Sequence, residues 1–216
     1  EKQEACQKAD AEAEDYEEYV EAWAHEIKTP LSLLTMILDN QSDVIPASTN
    51  FKLDYIRNQI QEQISQILYY ARLKSAHKSY LFEFVDLRMC MEEILEDYRM
   101  LLEEKQFLIC EQLFHTEVFT DRRGIQFLLS QIISNAIKYS SDHPKLTIIL
   151  ERSEAEETDI LRIRDNGIGV KACDLPYIFQ KGFTGDSENH RNKATGMGLY
   201  LSKKMADDLN IRLEVW

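Results

Sequence analysis

Two apolar stripes at helical spacing near the start of the chain constrain its fold most. The stripes consist of Val20, Trp23, Ile27, Leu31, Leu34 and Leu38 and, after a breaker run at 45–50, of Leu53, Ile56, Ile60, Ile64, Ile67 and Ala71. Steps of three and four are typical of a helix that buries one face. The pattern therefore predicts two long helices joined by a short loop. One such hairpin buries little surface by itself, so we expect it to dimerise into a four-helix bundle.

The remainder of the chain alternates short strands with helices. The patterns predict strands at 81–85, 107–110, 145–152, 159–165 and 211–215, helices at 86–103 and 121–139, and a last helix from Gly198. Residues 170–195, with their glycines and charges, predict a loop with one short helical turn. The predicted class is α+β: a helical hairpin at 1–77, followed at 78–216 by an α/β sandwich with helices on one face of a mostly antiparallel sheet.

Composition limits the function classes. The chain has 25 Lys and Arg against 38 Asp and Glu, a formal net charge of −13, which argues against a nucleic-acid binder with a basic surface. The longest nearly apolar run, 31–38, is far shorter than the roughly 20 residues of a membrane span. The chain starts at Glu1 without a signal stretch, so we expect an excerpt of a longer protein.

His25 is the first candidate for chemistry. It lies more than about 120° around the helix from the stripe, so its ring is predicted to face solvent. A lone surface histidine usually has no special role. Here Glu26 is adjacent, Thr29 follows one turn later, and Pro30 removes a backbone hydrogen bond inside the helix. The alternative, a helix that ends at Thr29, is weakened because the stripe continues to Leu38.

Asn135, Lys138 and Tyr139 form the second candidate, a polar stripe beside the apolar face of one helix. Their amide, ammonium and phenol groups suit Mg²⁺, phosphate and adenine, respectively. The alternative is the polar rim of an ordinary amphipathic helix. From this helix alone, that alternative is at least as good.

Asp165, Gly167 and Gly169 form the third candidate. Asn-Gly between apolar runs also signals a tight hairpin turn. However, Asp165 alternates with Leu161 and Ile163, so its carboxylate is predicted to point inward and to need a donor. Such an aspartate can accept from the amine of adenine, while the glycines let the backbone approach the ring. At 195–199, a glycine-rich start of the last helix can cradle phosphate, although it matches neither a P-loop nor a dinucleotide fingerprint.

Taken in order, five motifs resemble the H, N, G1, F and G2 boxes of sensor histidine kinases. They lie at 25–31, 135–140, 165–169, 178–185 and 195–199. The resemblance covers essentially the whole chain and implies a dimerisation hairpin followed by an ATP-binding domain of the Bergerat or GHKL type. The residues of the last two motifs most resemble those of the small intramembrane-sensing kinases of Gram-positive bacteria that respond to cell-envelope antibiotics.

The resemblance implies ATP-dependent autophosphorylation and transfer of the phosphoryl group to an aspartate of a response regulator, with phosphatase activity toward that regulator. It makes His25 the phosphoacceptor, Glu26 its base and Thr29 the residue that positions water in the phosphatase reaction. It assigns Mg²⁺ to Asn135, a phosphate to Lys138, the adenine ring to Tyr139 and the adenine amine to Asp165. The other implied nucleotide-binding residues are Gly167, Gly169, Phe179, Phe183, Thr195, Gly196, Gly198 and Leu199, with 170–195 as the lid.

The same resemblance implies the setting of the protein. We expect a homodimer on the cytoplasmic side of the cell membrane, anchored by a sensor region outside this sequence. The expected partners are a cognate response regulator and a membrane transporter, with no nucleic acid. Two departures stand out: Gln131 occupies a position where the family often has an extra asparagine, and the sequence stops at Trp216, before a further strand of the family's sheet. We therefore expect an exposed sheet edge.

Two alternatives compete with this interpretation. One is a different ATPase of the same nucleotide-binding fold, similar to the gyrase, heat-shock chaperone and mismatch-repair ATPases, which use a glutamate base. Those proteins lack an upstream hairpin with a His-Glu-x-x-Thr-Pro motif. The other is a degenerate kinase that serves as a dimeric docking scaffold. It would need a damaged motif, and none of the five is damaged.

Overall fold

The computed structural model describes residues 2–41, 44–74, 80–153, 158–185 and 195–216. The chain forms two compact units, Glu1–Tyr80 and Leu81–Trp216. The predicted domain boundary, between residues 77 and 78, lies outside the described residues. Among the described helices, none has the combination of length and apolar character that crossing a bilayer requires.

The first unit is a pair of long helices, α1 (Lys2–Asn40) and α2 (Ala47–Lys74). Pro30 lies inside α1, so the alternative of a helix ending at Thr29 is wrong. The predicted breaker run at 45–50 is too long, because α2 already begins at Ala47. Its first turn is held by Pro46 O, which accepts from the amides of Thr49 and Asn50. A proline just before a helix loses no hydrogen bond, since that amide would lack a partner anyway.

The core of this hairpin differs from the predicted stripes at three positions, Trp23, Ile56 and Ile67, which are exposed. Ala24, Leu31 and Ile64 are buried together. Trp23, by contrast, is 41% exposed, because the neighbouring Ala24 faces α2 and a helix turns about 100° between adjacent residues. The two helices therefore leave many large apolar side chains exposed. These are Tyr19, Trp23, Leu33, Met36, Ile37, Ile56 and Ile67.

The second unit is a mixed helix and sheet domain, which confirms the predicted α+β class. Its elements are β1 (Phe82–Asp86), α3 (Leu87–Asp97), α4 (Arg99–Glu104), β2 (Leu108–Gln112), β3 (Glu117–Asp121), α5 (Arg122–Lys138), β4 (Lys145–Ser153), β5 (Thr158–Asp165), a 3₁₀ turn (Leu175–Tyr177) and α6 (Gly198–Asp208). β1 and β3 form an antiparallel ribbon. In the other sheet β4 is central, parallel to β2 and antiparallel to β5.

Three details of the predicted pattern are wrong. The single helix expected at 86–103 is interrupted at Tyr98, which separates α3 from α4. The strand β3 is missing from the pattern, because its five residues gain their extended form by pairing with β1 rather than from their own periodicity. Residues 211–216 adopt no regular structure, so the expected strand at 211–215 is absent from the described chain.

The position of α5 is set at its beginning by Asp121, a buried aspartate at the end of β3. Asp121 Oδ1 accepts from Gly124 N at 2.7 Å and caps α5, while Oδ2 accepts from Leu81 N at 2.8 Å, just before β1. One carboxylate thereby joins a helix start to a strand start. A capping interaction of this kind contributes about 1 kcal/mol, and more where the group is buried. The N-terminal end of α5 is thus fixed to the small ribbon.

Asp86 caps α3 and pairs with a histidine. Its Oδ1 accepts from Arg88 N at 2.9 Å, and its Oδ2 lies 2.6 Å from His115 Nδ1. The hydrogen bond to Asp86 raises the pKa of His115 above its usual value. Burial by itself would raise the pKa of Asp86, but the hydrogen bonds from His115 and from the amides of Arg88 and Met89 outweigh it and lower that pKa.

We predict that His115→Gln lowers the free energy of unfolding in a pH-dependent way. A raised histidine pKa stabilises the fold at pH values below the ordinary value of about 6.5, and this contribution is lost as pH rises through the folded-state pKa. The lowered pKa of Asp86 removes its own contribution only as pH falls below about 4. Urea unfolding at about pH 5.5 and about pH 9 measures this difference. His143→Gln serves as the exposed control, and an equal penalty at both pH values would contradict the prediction.

Candidate functional site

His25 lies on α1 of the first unit, and its neighbours Glu26, Thr29 and Pro30 are exposed with it. Thr29 Oγ1 donates to His25 O at 3.3 Å, the usual return of a helical threonine to the turn before it. Within the described part of the chain, neither the His25 ring nor the Glu26 carboxylate has a bonding partner. Both groups are therefore available to a reaction partner, as the sequence predicted for His25.

Asn135, Lys138 and Tyr139 lie together at the C-terminal end of α5. Asn135 is half-buried, and its carbonyl accepts from Tyr139 N at 3.0 Å, which ends the helix. The Lys138 ammonium lies 5.3 Å from the centre of the Tyr139 ring, within cation–π range. Gln131, one turn earlier, is only 2% exposed, so its amide belongs to the packed interior.

Asp165 ends β5, and the expectation of an inward carboxylate is wrong. The side chain is exposed, because the alternation of the strand ends at this residue and the chain turns. The donor that it needs is local: Asp165 Oδ1 accepts from Gly167 N at 2.8 Å. Its other oxygen remains free to accept from a ligand.

Asn166 shows why this segment is not a tight hairpin turn. Its Oδ1 accepts from Lys145 N at 2.6 Å, and its Nδ2 donates to His143 O at 2.9 Å. Both hydrogen bonds link the residue that follows β5 to the start of the neighbouring strand β4. The chain then leaves the sheet, so the alternative of a returning hairpin is wrong. Asn166 carries no sequence signal of this role, because an asparagine before glycine is the common signal for a tight hairpin turn.

The loop after β5 packs directly on the end of α5. Ile168 N donates to Tyr139 O at 3.1 Å. A methyl group added to Gly167 would lie 2.3 Å from Tyr139 O and 2.7 Å from Asp165 Oδ1, so only glycine allows this approach. Gly169 follows with a φ of +69°, and a methyl group there would meet open space. Two of the predicted motifs, at 135–140 and 165–169, therefore form one contiguous site.

Two further motifs, at 178–185 and 195–199, also meet through glycines. Gly182 N donates to Gly196 O at 3.1 Å. Gly196 has a φ of +63°, and a methyl group on it would lie 2.4 Å from the carbonyl carbon of Gly182. The remaining predicted residues lie in the same two motifs. Phe179 and Leu199 are half-buried, and the centre of the Phe183 ring lies 6.1 Å from that of the Tyr177 ring. Thr195 Oγ1 accepts from Met197 N at 3.3 Å, just before α6 begins at Gly198. Residues 186–194 of the predicted lid lie outside the described residues.

Helix α6, which begins in the motif at 195–199, packs on α5, which ends in the motif at 135–140. A methyl group added to Gly124, in the first turn of α5, would lie 2.7 Å from Leu209 Cδ1 and 2.9 Å from Met205 Sδ. The start of α5 therefore contacts the end of α6.

Comparison with known proteins places this arrangement in a family. Residues 120–216 match the family described as histidine kinase-, DNA gyrase B-, and HSP90-like ATPase. The sensor protein BceS of Halalkalibacterium halodurans is 34% identical over 194 residues, which cover 90% of this chain and 56% of that protein. The sensor histidine kinase GraS of Staphylococcus epidermidis is 29% identical over 203 residues, which cover 93% of this chain and 57% of that protein. Residues 120–216 belong to this ATPase family, and the chain as a whole is similar to sensor histidine kinases.

The relatives also bear on the first of the two alternatives. Their alignments are longer than the second unit, so the likeness includes the helical hairpin, which an ATPase of the gyrase or chaperone type lacks. The predicted family is therefore confirmed. The chain spans a little over half the length of these relatives.

Solved structures confirm the predicted fold. The Acinetobacter baumannii histidine kinase AdeS aligns with a TM-score of 0.51 and 24% identity, covering 85% of this chain and 86% of that one. ShkA, solved in complex with AMPPNP, aligns with a TM-score of 0.59 and 17% identity, covering 89% of this chain and 41% of that one. The chain thus shares the histidine kinase fold across both of its units.

We predict that Gly167→Ala separates the loop after β5 from the end of α5. The added methyl group meets a backbone oxygen that cannot move aside, so the hydrogen bond from Ile168 N to Tyr139 O should break. Overpacking of this kind lowers the free energy of unfolding by about 1–3 kcal/mol. Amide hydrogen exchange measured by NMR should show faster exchange at Ile168.

Gly169→Ala is the matched control, because its methyl group meets open space and only the positive φ is strained. Such strain costs about 1 kcal/mol and leaves the amide of Ile168 bonded. Unchanged exchange at Ile168 in Gly167→Ala would contradict the proposed contact.

Proposed function

We propose that this chain is a kinase core that phosphorylates His25 with ATP and passes the phosphoryl group to an aspartate of a response regulator. The observation that carries this proposal is the contact between Gly167 and the Tyr139 carbonyl. It holds an aromatic ring, an ammonium and a partly free carboxylate around one glycine-lined surface. An exposed histidine with an adjacent carboxylate, on a separate unit, supplies the acceptor.

In this proposal the end of α5 and the loop after β5 hold the adenine. The free oxygen of Asp165 accepts from the exocyclic amine, the Tyr139 ring packs against the base, and Lys138 pairs with a phosphate. The start of α6 and its glycines receive the remaining phosphates, since the unpaired amides of a helix start attract anions. The AMPPNP complex of ShkA, which holds a nucleotide analogue, supports a nucleotide ligand for this fold. The residues proposed to enclose it are Gly167, Gly169, Phe179, Phe183, Thr195, Gly196, Gly198 and Leu199.

The donor set fits a magnesium ion that arrives with the nucleotide. Among the described residues, no group of three or more His, Cys, Asp or Glu side chains could hold a metal. Mg²⁺ prefers one or two protein oxygens together with substrate phosphates and water, and the amide oxygen of Asn135 provides one. When bound, the ion neutralises charge that develops on the phosphates.

His25 and Glu26 perform the transfer in this proposal. A ring nitrogen of His25 forms a bond to the γ-phosphorus, the bond from that phosphorus to the bridging oxygen breaks, and ADP leaves with the electron pair. Glu26 accepts the proton that the imidazole loses. The phosphoryl group then passes from the histidine to a carboxylate oxygen of the regulator. Positioning and charge neutralisation supply most of the rate in such reactions.

The hairpin supplies the proposed partner surfaces. Its exposed apolar residues, among them Trp23, Met36 and Ile56, form the surface that a second copy would cover in a four-helix bundle. We propose that the complete protein is a membrane-anchored sensor kinase of the antibiotic-responsive subfamily, with its catalytic core on the cytoplasmic side. Its proposed partners are a response regulator and a membrane transporter. The relatives BceS and GraS, which carry the names of sensor proteins, support this assignment.

Incubation with ATP labelled at the γ-phosphate, in the presence of Mg²⁺, tests the function. We expect a label on the protein that is stable in alkali and labile in acid, as a phosphohistidine is. His25→Gln should abolish the label but bind nucleotide normally, because the nucleotide residues lie in the other unit. Asp165→Asn should weaken nucleotide binding by about 1–3 kcal/mol, since an amide replaces the acceptor for the adenine amine.

His143→Gln is the control for this experiment, since that histidine lacks a neighbouring Glu-x-x-Thr-Pro sequence. A full label on His25→Gln would refute the assignment of His25. Release of phosphate without any protein label would instead favour an ATPase of the gyrase and chaperone type. Failure of the unmodified chain to bind ATP at all would favour a docking scaffold.

We also predict that Thr29 and Glu26 separate two activities. Thr29 Oγ1 donates its proton to His25 O and keeps free lone pairs that can orient a water molecule. Thr29→Ala should therefore retain autophosphorylation but dephosphorylate the regulator more slowly. Glu26→Gln should show the opposite pattern and affect autophosphorylation more than dephosphorylation of the regulator. Autophosphorylation should fall by about 100-fold, the usual contribution of a general base.

Thr35→Ala is the matched control, because Thr35 Oγ1 makes the same bond to the turn before it, at 3.0 Å from Leu31 O. Time courses of regulator dephosphorylation compare the three variants. If Thr29→Ala dephosphorylates the regulator at the rate of the unmodified chain, the role proposed for Thr29 is wrong.

A further inference from the structure

Lys105 reaches the C-terminal end of α5 from a distant part of the second unit's sequence. It follows α4 and ends that helix. Its ammonium nitrogen donates to Ile137 O at 2.6 Å and to Ser140 Oγ at 2.9 Å, across 32 and 35 residues of sequence. The side chain is half-buried, and burial lowers its pKa. Among the described residues, Lys105 forms no ion pair with a carboxylate, so its charge is directed at the end of α5.

The end of a helix is a natural place for this charge. The last carbonyls of an α-helix have no partner within the helix and carry a partial negative charge, which a cation stabilises. Ile137 O receives two donors, the Lys105 ammonium and the Ser140 hydroxyl at 2.9 Å. A charged donor makes the stronger of these bonds. Lys105 is therefore the principal partner of this carbonyl.

Two hydrogen bonds next to Ile137 involve residues of the proposed nucleotide site. Asn135 O accepts from Tyr139 N, and Tyr139 O accepts from Ile168 N. The last turn of α5 is thus held from one side by Lys105 and from the other by the loop that follows Asp165. Asn135, Lys138 and Tyr139 all belong to this turn or its cap.

We propose that Lys105 is a positioning residue of the nucleotide site: it fixes the last turn of α5 so that Tyr139 and its neighbours meet the loop that carries Asp165. This proposal rests on the proposed function, since it assigns a nucleotide to that surface. Lys105 does not touch the nucleotide. It acts through Ile137 O and Ser140, and a residue of similar shape without a donor leaves that turn free to move.

Lys105→Met is the informative substitution, because methionine keeps the apolar stem and removes the donor. Titration calorimetry of the full 216-residue chain with the magnesium complex of AMPPNP measures affinity. We expect binding roughly tenfold weaker, the size of effect seen when a partner behind a ligand-binding residue is removed. Lys105→Arg should restore much of the affinity, since it keeps a charged donor. Lys204→Met, an exposed lysine on α6, is the control and should bind as the unmodified chain does.

Amide hydrogen exchange distinguishes positioning from general destabilisation. In Lys105→Met we expect faster exchange at Tyr139 and Ile168 and unchanged exchange at Leu146 and Ile148 in the buried strand β4. Weaker binding with faster exchange throughout the domain would overturn the proposal, because it would indicate a purely structural role. Unchanged affinity would also overturn it and would leave the proposed function intact. Failure of the unmodified chain to bind AMPPNP would overturn both.

A second variant covers the case in which Lys105→Met does not fold. Ser140→Ala removes one acceptor of Lys105 and the second donor to Ile137 O, while it leaves the Lys105 charge in place. The proposal requires a smaller loss of affinity in the same direction and faster exchange at Ile168. If this variant matches the unmodified chain in both measurements, Lys105 does not act through this turn.

Discussion

The candidate site depends on one close approach of two backbone segments. The loop after β5 lies against the carbonyl of Tyr139, and the absence of a side chain at Gly167 permits that contact. The hydrogen bond from Ile168 N then fixes the register between the loop and the helix. Without this approach, the ring of Tyr139 and the carboxylate of Asp165 would belong to separate surfaces.

Helix α5 organises the second unit because both of its ends are anchored by charge. At its start, the buried carboxylate of Asp121 joins the helix to β1. At its end, Lys105 and Ile168 donate hydrogen bonds to carbonyl oxygens that have no partner within the helix. An anion at the start of a helix and a cation at its end both interact favourably with the helix dipole. The same contacts that stabilise the helix therefore also place the residues proposed to bind the nucleotide.

The two units suit two different tasks. In the first unit, His25 and Glu26 stand exposed on a helix whose buried face contacts its neighbour. In the second, hydrogen bonds with α5 and with the loop after β5 hold Tyr139 and Asp165. A phosphoacceptor must meet different partners in turn, which exposure allows. A nucleotide site needs preorganised groups, because phosphoryl transfer relies on positioning.

The sequence by itself determined the helical hairpin, the class of the second unit and the motifs that lie in the site, because these follow from local periodicity and spacing. Tertiary structure decided the rest. Ala24 rather than Trp23 faces α2. The apolar stripe of α1 alone does not decide this, because which residue is buried depends on how α2 packs against α1. Asp165 is exposed where the strand ends, and β3 exists because β1 pairs with it. Lys105 had no local signal at all, because its partners lie more than 30 residues away along the chain, and such contacts arise only when the domain packs.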